Sequence, residues 1–171
     1  MEQMHSPWRS HYIKSFKDEV KTEGLEKSAC VFCAALEGSD DKETLLVYRG
    51  KTAFVLMNRF PYNSGHLMVI PNRHSADFQS LSEEEGSECI LLLQASQRAL
   101  QKIVQPHAYN LGMNLGRAAG AGIEDHFHWH IVPRWNGDTN FLPVLSDVKV
   151  VSEDMQDQWK ELHAIFPSLL K

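Results

Sequence analysis

Three histidines occupy alternate positions in the segment His126-Phe127-His128-Trp129-His130-Ile131-Val132. On an extended strand the side chains alternate between faces, so this spacing puts three imidazoles on one side and Phe127, Trp129 and Ile131 on the other. Neighbouring members of the row would lie about 6.5–7 Å apart at their Cα atoms, close enough for the rings to line one site. Three readings suit such a row. It can be a set of surface histidines on an edge strand, or a zinc site drawn from one strand face. It can also be a nucleophilic site, in which neutral imidazole attacks phosphorus while its second nitrogen is oriented by a hydrogen bond. The ordinary imidazole pKa of about 6.5 leaves the ring mostly neutral at pH 7, as nucleophilic attack requires.

Immediately upstream, Asn114-Leu115-Gly116-Arg117-Ala118-Ala119-Gly120-Ala121-Gly122 supplies an amide side chain and bare backbone. Glycines let N–H groups approach an anion closely, and successive amides can form a phosphate nest. Such a loop by itself is an ordinary turn; beside a histidine row it reads as a phosphate site. Of three cysteines, two form Cys30-Val31-Phe32-Cys33. In a reducing compartment that spacing points to metal ligation or redox chemistry and not to a disulfide framework. Cys89 falls in an apolar helical pattern and belongs to the core. Two other motifs fail. Gly50-Lys51-Thr52 resembles the end of a P-loop, but the required first glycine would fall at Leu45. Gly116–Gly122 lacks G-x-G-x-x-G and opens no βαβ unit.

Short β-type runs at Thr44–Arg49, Thr52–Met57 and His66–Ile70, separated by turn residues, predict an antiparallel meander. Ala108–Leu115 and His126–Val132, the latter stopped by Pro133, bring the sheet to about five strands. Ser82-Glu83-Glu84-Glu85 has the form of a capping box, and Cys89, Leu92, Leu93, Leu100 and Ile103 repeat at helical spacing until Pro106. A C-terminal helix carries Met155, Trp159, Leu162 and Phe166 on one face after a Ser152 cap. Runs of strands without strict βαβ alternation imply an α+β fold. Residues 1–29 read as a polar N-terminal arm and residues 30–171 as one domain. The 171 residues have a formal net charge of −5, which argues against coating nucleic acid, since that requires clustered Lys and Arg. No apolar stretch of membrane-spanning length and no signal peptide is evident, so a cytoplasmic location is expected.

His-x-His-x-His followed by two apolar residues, with Asn-x-Gly upstream, resembles the signature of the histidine-triad (HIT) family. The likeness extends to Asn58-Arg59-Phe60-Pro61-Tyr62-Asn63-Ser64-Gly65-His66-Leu67-Met68-Val69-Ile70-Pro71-Asn72-Arg73-His74, similar to the family's nucleotide-binding strand pair. Pro7-Trp8-Arg9 and the stretch Pro133 to Phe141 resemble a bacterial branch that includes diadenosine tetraphosphate phosphorylases. The resemblance implies a HIT-like fold, a homodimer, and purine nucleotides or dinucleoside polyphosphates as substrates, arriving in some cases as magnesium complexes. It implies His128 as nucleophile and His130 as a phosphate contact. Asn114, Gly120 and Gly122 would also hold phosphate, Asn58 would meet the ribose, and apolar residues of the Val47–Leu56 region would wall the base. By the same resemblance Cys30, Cys33, His74 and His126 would hold a structural zinc ion, a closed Cys₂His₂ set. His5, His11, His107 and His163 would face solvent, and His66 would serve packing or hydrogen bonding within its strand pair.

One departure bears on the reaction. Many hydrolytic relatives carry Gly-Gln-Ser or Gly-Gln-Thr where this chain reads Ala121-Gly122-Ile123. Small residues at that position also occur in the phosphorylase-like branch, where inorganic phosphate replaces water as acceptor. The expected function is therefore nucleotidyl transfer at the α-phosphorus through a nucleotidyl-histidine, to water or to phosphate. The competing functions are a catalytic zinc enzyme using the histidine row as ligands, and a nucleotide-binding module without turnover.

Overall fold

A computed structural model describes residues 30–138 and 154–170. The arm 1–29, the Pro7-Trp8-Arg9 motif, His5, His11, Ser152 and the stretch from Thr139 lie outside the described residues. Five strands form one antiparallel sheet: β1 Leu46–Arg49, β2 Ala53–Met57, β3 Leu67–Pro71, β4 Ala108–Met113 and β5 Trp129–Arg134. Their order across the sheet is β1-β2-β3-β5-β4, so the strand that carries His130 lies between β3 and an edge strand. The helices are α1 Val31–Glu37, α2 Asp41–Thr44, α3 Glu83–Ile103 and α4 Met155–Ile165.

The α3 helix begins as its sequence predicts. The Ser82 side chain accepts from the Glu85 N–H while Glu85 reaches back to the Ser82 N–H, a closed capping box. Cys89, Leu92, Leu93, Ala95, Ala99 and Leu100 are buried against Val47, Val55, Leu67, Val69 and Ile131. From the same side α4 adds Trp159 and Leu162, followed by Phe166 and Leu169. Its N-cap is Asp154, whose carboxylate accepts from Gln156 N–H (2.9 Å) and Asp157 N–H (3.1 Å), and not the expected Ser152. A carboxylate takes two orphan amides there and favours the positive end of the helix.

The opposite face of the sheet carries a second apolar cluster, with Cys30, Phe32 and Ala35 on Leu46, Phe54, Leu56, Met68 and Ile70. Of the expected base-walling region, then, Phe54 and Leu56 face this side, while Val47 and Val55 point to α3.

The last strand departs from expectation at both ends. Its ladder with β3 covers only Trp129–Ile131, so His126 and His128 precede it. The register would set Pro71 opposite Phe127, and Pro71 has no N–H to continue the ladder. The Phe127 N–H donates instead to Ser75 O at 2.9 Å. At the other end Pro133 lies within β5, opposite Tyr109. Arg134 O accepts from His107 N–H on the β4 side, so Pro133 directs its missing donor to the other side, beyond the end of the β3 ladder.

Candidate active site and metal centre

Cys30 is the N-cap of α1, and Cys33 lies three residues on, so both thiols share one side of its first turn. His74 follows β3, and His126 precedes β5. The ligand atoms of these four residues all lie within 4.8 Å of one another. Cys30 Sγ is 3.4 Å from His126 Nδ1, while Cys33 Sγ is 3.4 Å from His74 Nδ1 and 3.6 Å from His126 Nδ1. For a tetrahedral ion with Zn–S of about 2.3 Å and Zn–N of about 2.0–2.1 Å, trigonometry sets the S···N edge at about 3.6 Å. The four residues therefore fit a zinc ion by both donor type and spacing.

The surroundings prepare those donors. His126 Nε2–H donates to Pro71 O at 2.8 Å, which leaves Nδ1 as the lone pair facing the thiols. Burial pushes the His126 pKa down to about 4, so the ring is neutral at pH 7. Burial, with Cys30 beside it, pushes the Cys33 thiol up to about 11. A bound cation reverses that preference and draws the thiolate. His74 is fixed through its neighbour, since the Arg73 guanidinium forks onto Glu85 (2.9 and 3.0 Å) and reaches Ser80 O. The Arg73 fork and the Ser82 N–H hold the Glu85 carboxyl at about 2, so the anchor keeps its charge at any ordinary pH.

His128 lies in the same extended segment. Its Nδ1–H donates to His126 O at 3.0 Å, so Nε2 carries the lone pair. The ring is buried, with Phe32 edge-on at 4.8 Å between centroids, and this burial lowers its pKa. A neutral imidazole with a fixed tautomer and a bare Nε2 is the form that attacks an electrophile.

His130 has the opposite tautomer. The Tyr62 backbone N–H donates to His66 Nδ1 at 3.1 Å, and a backbone amide can only donate. His66 Nδ1 is therefore bare and its Nε2 carries the proton, which it gives to His130 Nδ1 at 2.9 Å. His130 in turn carries its own proton on Nε2. The His128 and His130 rings lie 4.7 Å apart between centroids, one with a lone pair at Nε2 and the other with a proton there. His66 thus does more than join its strand pair, as expected from sequence; it is buried and orients a residue of the row.

The remaining site residues are placed as follows. Asn58 donates from Nδ2 to His66 Nδ1 (3.3 Å) and accepts at Oδ1 from Phe60 N–H (2.9 Å), so it braces the same relay. Asn114 follows β4 and reaches across the glycine-rich turn to Gly120 O at 3.4 Å. Gly116 and Gly120 have φ of +78° and +90°, the left-handed region that favours glycine, on either side of the 3-10 turn Arg117–Ala119. Gly122 is exposed in the bend that leads to the histidines. Exposed His107 accepts from Asn136 N–H, and exposed His163 donates to Val47 O.

The three histidines of the row do not converge on one ion. His126 turns its Nδ1 to the cysteines, while Nδ1 of His128 and of His130 meet a backbone carbonyl and His66 respectively. That arrangement disfavours the catalytic-zinc reading. Sequence reading missed one support of the site. Phe32 sits between the two cysteines and packs on both His126 and His128. Its spacing was visible, but no pattern announced what it would touch.

The HIT domain family profile matches residues 39–137. The chain is 33% identical over 157 residues to a protein of Mycobacterium tuberculosis called AP-4-A phosphorylase, covering 92% of this chain and 80% of the relative. Its fold is similar to that of a Zn-bound histidine triad family protein from Mycobacterium smegmatis, with a TM-score of 0.63 and 25% identity over 82% of this chain and 94% of that one. Plasmodium falciparum diadenosine triphosphate hydrolase shares the fold, with a TM-score of 0.60 and 17% identity over 94% of this chain and 96% of that one.

Proposed function

This chain belongs to the HIT domain family, and on that footing we propose that it is a nucleotidyl-transferring enzyme acting on dinucleoside polyphosphates or related purine nucleotides. The observation that carries the reading is the pair of opposed tautomers. His128 offers a lone pair at Nε2 and His130, with its ring beside it, offers a proton at the same position. His128 Nε2 attacks the α-phosphorus in line, the bond to the leaving phosphate breaks, and a nucleotidyl-histidine forms. His130 Nε2–H, Asn114 and amides of the Gly116–Gly122 turn meet the charge that develops on the phosphoryl oxygens. Water or inorganic phosphate then attacks the same phosphorus and frees His128.

Cys30, Cys33, His74 and His126 would hold the zinc ion, which would supply rigidity at the start of the catalytic segment. Such an ion would be held off the reaction path, since the carbonyl of His126 orients His128 while its ring faces the cysteines. Residues 30–171 then act as one domain, in the cytoplasm. A homodimer joined along β4 fits the reading, because β4 is an edge strand and Leu111 on it is 51% exposed. No helix among the described residues is long and apolar enough to cross a membrane.

Product analysis tests the activity. Diadenosine polyphosphates and adenosine phosphoramidate, offered with and without inorganic phosphate, should yield AMP or ADP; absence of turnover on all of them would leave the non-catalytic binding module. The acceptor is tested at Gly122. With only hydrogen there, phosphate would have room beside the intermediate, held by the Gly122 amide and by Asn114, while the Gly120 and Ala121 N–H groups donate to Arg117 O and Gly116 O within the turn. Prior positioning then offsets the far higher concentration of water. Added phosphate should convert AMP to ADP in turnover of diadenosine tetraphosphate, and Gly122→Gln should shift the partition back to hydrolysis. Finding only AMP and ATP at millimolar phosphate would rule out phosphate as acceptor.

A further inference from the structure

The C-terminal helix α4 lies outside the matched stretch 39–137, yet one of its side chains reaches the turn behind the histidine relay. Gln158 is buried, at 6% exposure. Its Oε1 accepts from Gly65 N–H at 3.0 Å, and its Nε2 donates to Ser64 Oγ at 3.2 Å. The turn it holds has no slack. Gly65 has φ of +74°, and a Cβ there would stand 2.9 Å from Leu100 Cδ2 and 3.3 Å from Pro133 Cγ. On its other side, Asn63 Nδ2 donates to Pro133 O (3.1 Å) and to Asp138 Oδ2 (2.8 Å). Immediately ahead of these two clasps the backbone carries the Tyr62 N–H to His66 Nδ1.

We propose that Gln158 is a positioning residue for the histidine row: by clasping Ser64 and Gly65 it holds the Tyr62 N–H on His66 Nδ1, and so fixes His130 with its proton on Nε2. An imidazole in solution exchanges between two tautomers, and which one persists is decided by the partner at one nitrogen. At His66 Nδ1 the nearer of two donors is a backbone amide on a turn, with Asn58 Nδ2 as the longer one, and a turn keeps its course only while its own polar groups are met. Gln158 meets two of them at once. Without it the Tyr62 amide moves off His66, only the longer Asn58 Nδ2 contact of 3.3 Å is left to hold Nδ1 as acceptor, the second His66 tautomer becomes more populated, and His130 presents a lone pair at Nε2 for part of the time. A lone pair there repels a phosphoryl oxygen that the proton would bind. Helix α4 thereby takes part in setting the protonation pattern of the histidine row. The effect on rate rests on the nucleotidyl-transfer reading; the effect on the tautomer does not.

The test uses the full, zinc-loaded chain with ¹⁵N-labelled histidine, whose ring nitrogen shifts and couplings distinguish the two tautomers without substrate. In the unmodified protein His66 and His130 should both show the Nε2–H pattern and His128 the Nδ1–H pattern. Gln158→Met retains volume beside a space of only about 10 Å³, which a shorter side chain would enlarge, and removes both bonds. The His130 signals should move toward an average of the two forms. With diadenosine tetraphosphate, kcat should fall by roughly tenfold while KM changes by less than about twofold, as expected when a transition-state contact is lost and binding is not. Gln158→Glu keeps an acceptor for Gly65 N–H and should restore the Nε2–H pattern, since the Ser64 hydroxyl can rotate to donate. Trp159→Phe removes a bond from the same helix to Leu46 O; it should lower the melting temperature and leave the His130 signals and kcat unchanged. If Gln158→Met does not fold, Ser64→Ala should produce a smaller drift of the same signals. An unaltered His130 tautomer in Gln158→Met, or in Ser64→Ala where that is the variant in hand, would overturn the proposal. So would an equal change in Trp159→Phe, which would reduce Gln158 to helix docking. If the unmodified chain shows no turnover, the function proposed above fails, and the tautomer result alone decides this inference.

Discussion

His128→Ala is expected to lower kcat by roughly 10⁴-fold or more while nucleotide binding, measured by calorimetry, changes little. The size follows from the role. Removing a nucleophile removes the covalent path, whereas removing one of several phosphate contacts weakens a path that still exists. Binding should survive because the contacts assigned to phosphate and sugar come from His130, Asn114, Asn58 and the glycine-rich turn. The His128 ring is buried against Phe32, so its deletion also leaves a cavity. His128→Gln fills most of that space and should be as inactive, which separates chemistry from packing. Near-native turnover by either variant would remove His128 from the mechanism.

Loss of the metal centre should be the largest effect on stability. Structural zinc in small domains contributes on the order of 10 kcal/mol of apparent binding energy, much of which appears as folding energy. Here α1 and the two segments bearing His74 and His126 are tied to a sheet that has its own core. A smaller loss, about 4 kcal/mol, is therefore the reasonable expectation. At about 2–4 °C per kcal/mol for a chain of this size, chelation or Cys30→Ser with Cys33→Ser should lower the melting temperature by roughly 10 °C. Metal analysis of the unmodified protein should find one zinc per chain. Zinc binding at neutral pH should release protons, because burial keeps the metal-free Cys33 thiol protonated up to about 11. The same linkage makes the centre acid-labile, as protons compete with the ion at sulfur. Unchanged melting after both cysteines are replaced would show that the four residues hold no structural ion.

Much of this arrangement was legible in the sequence because it rests on short-range rules. Period-two alternation separated the histidines from Phe127, Trp129 and Ile131, and that separation holds even though His126 and His128 lie ahead of the ladder. The capping box at Ser82 and Glu85 and the apolar repeat of α3 depend on neighbours within one or two turns, and both were read correctly. What escaped depends on distant partners. Pro133 looks like a strand end until β3 is known to stop beside it. His66 reads as a packing or hydrogen-bonding residue of its strand pair, and its part in orienting His130 emerges only when Tyr62 and His130 are brought to its two nitrogens. The α1 helix that Cys30 caps and that carries Cys33 has no apolar repeat long enough to announce it, and the two thiols find their partners on the far side of the sequence.

The central claim is that a nucleotidyl group is carried on His128, and covalent trapping addresses it most directly. Zinc-loaded protein mixed with diadenosine tetraphosphate and quenched within one turnover, under conditions that preserve phosphorus–nitrogen bonds, can be digested and mapped by mass spectrometry. The account predicts one adenylyl group on the peptide containing His128, assigned to that side chain, formed at the rate of the first product and absent from His128→Ala. An adduct on His126 or His130, or turnover with no adduct at any time point, would contradict it.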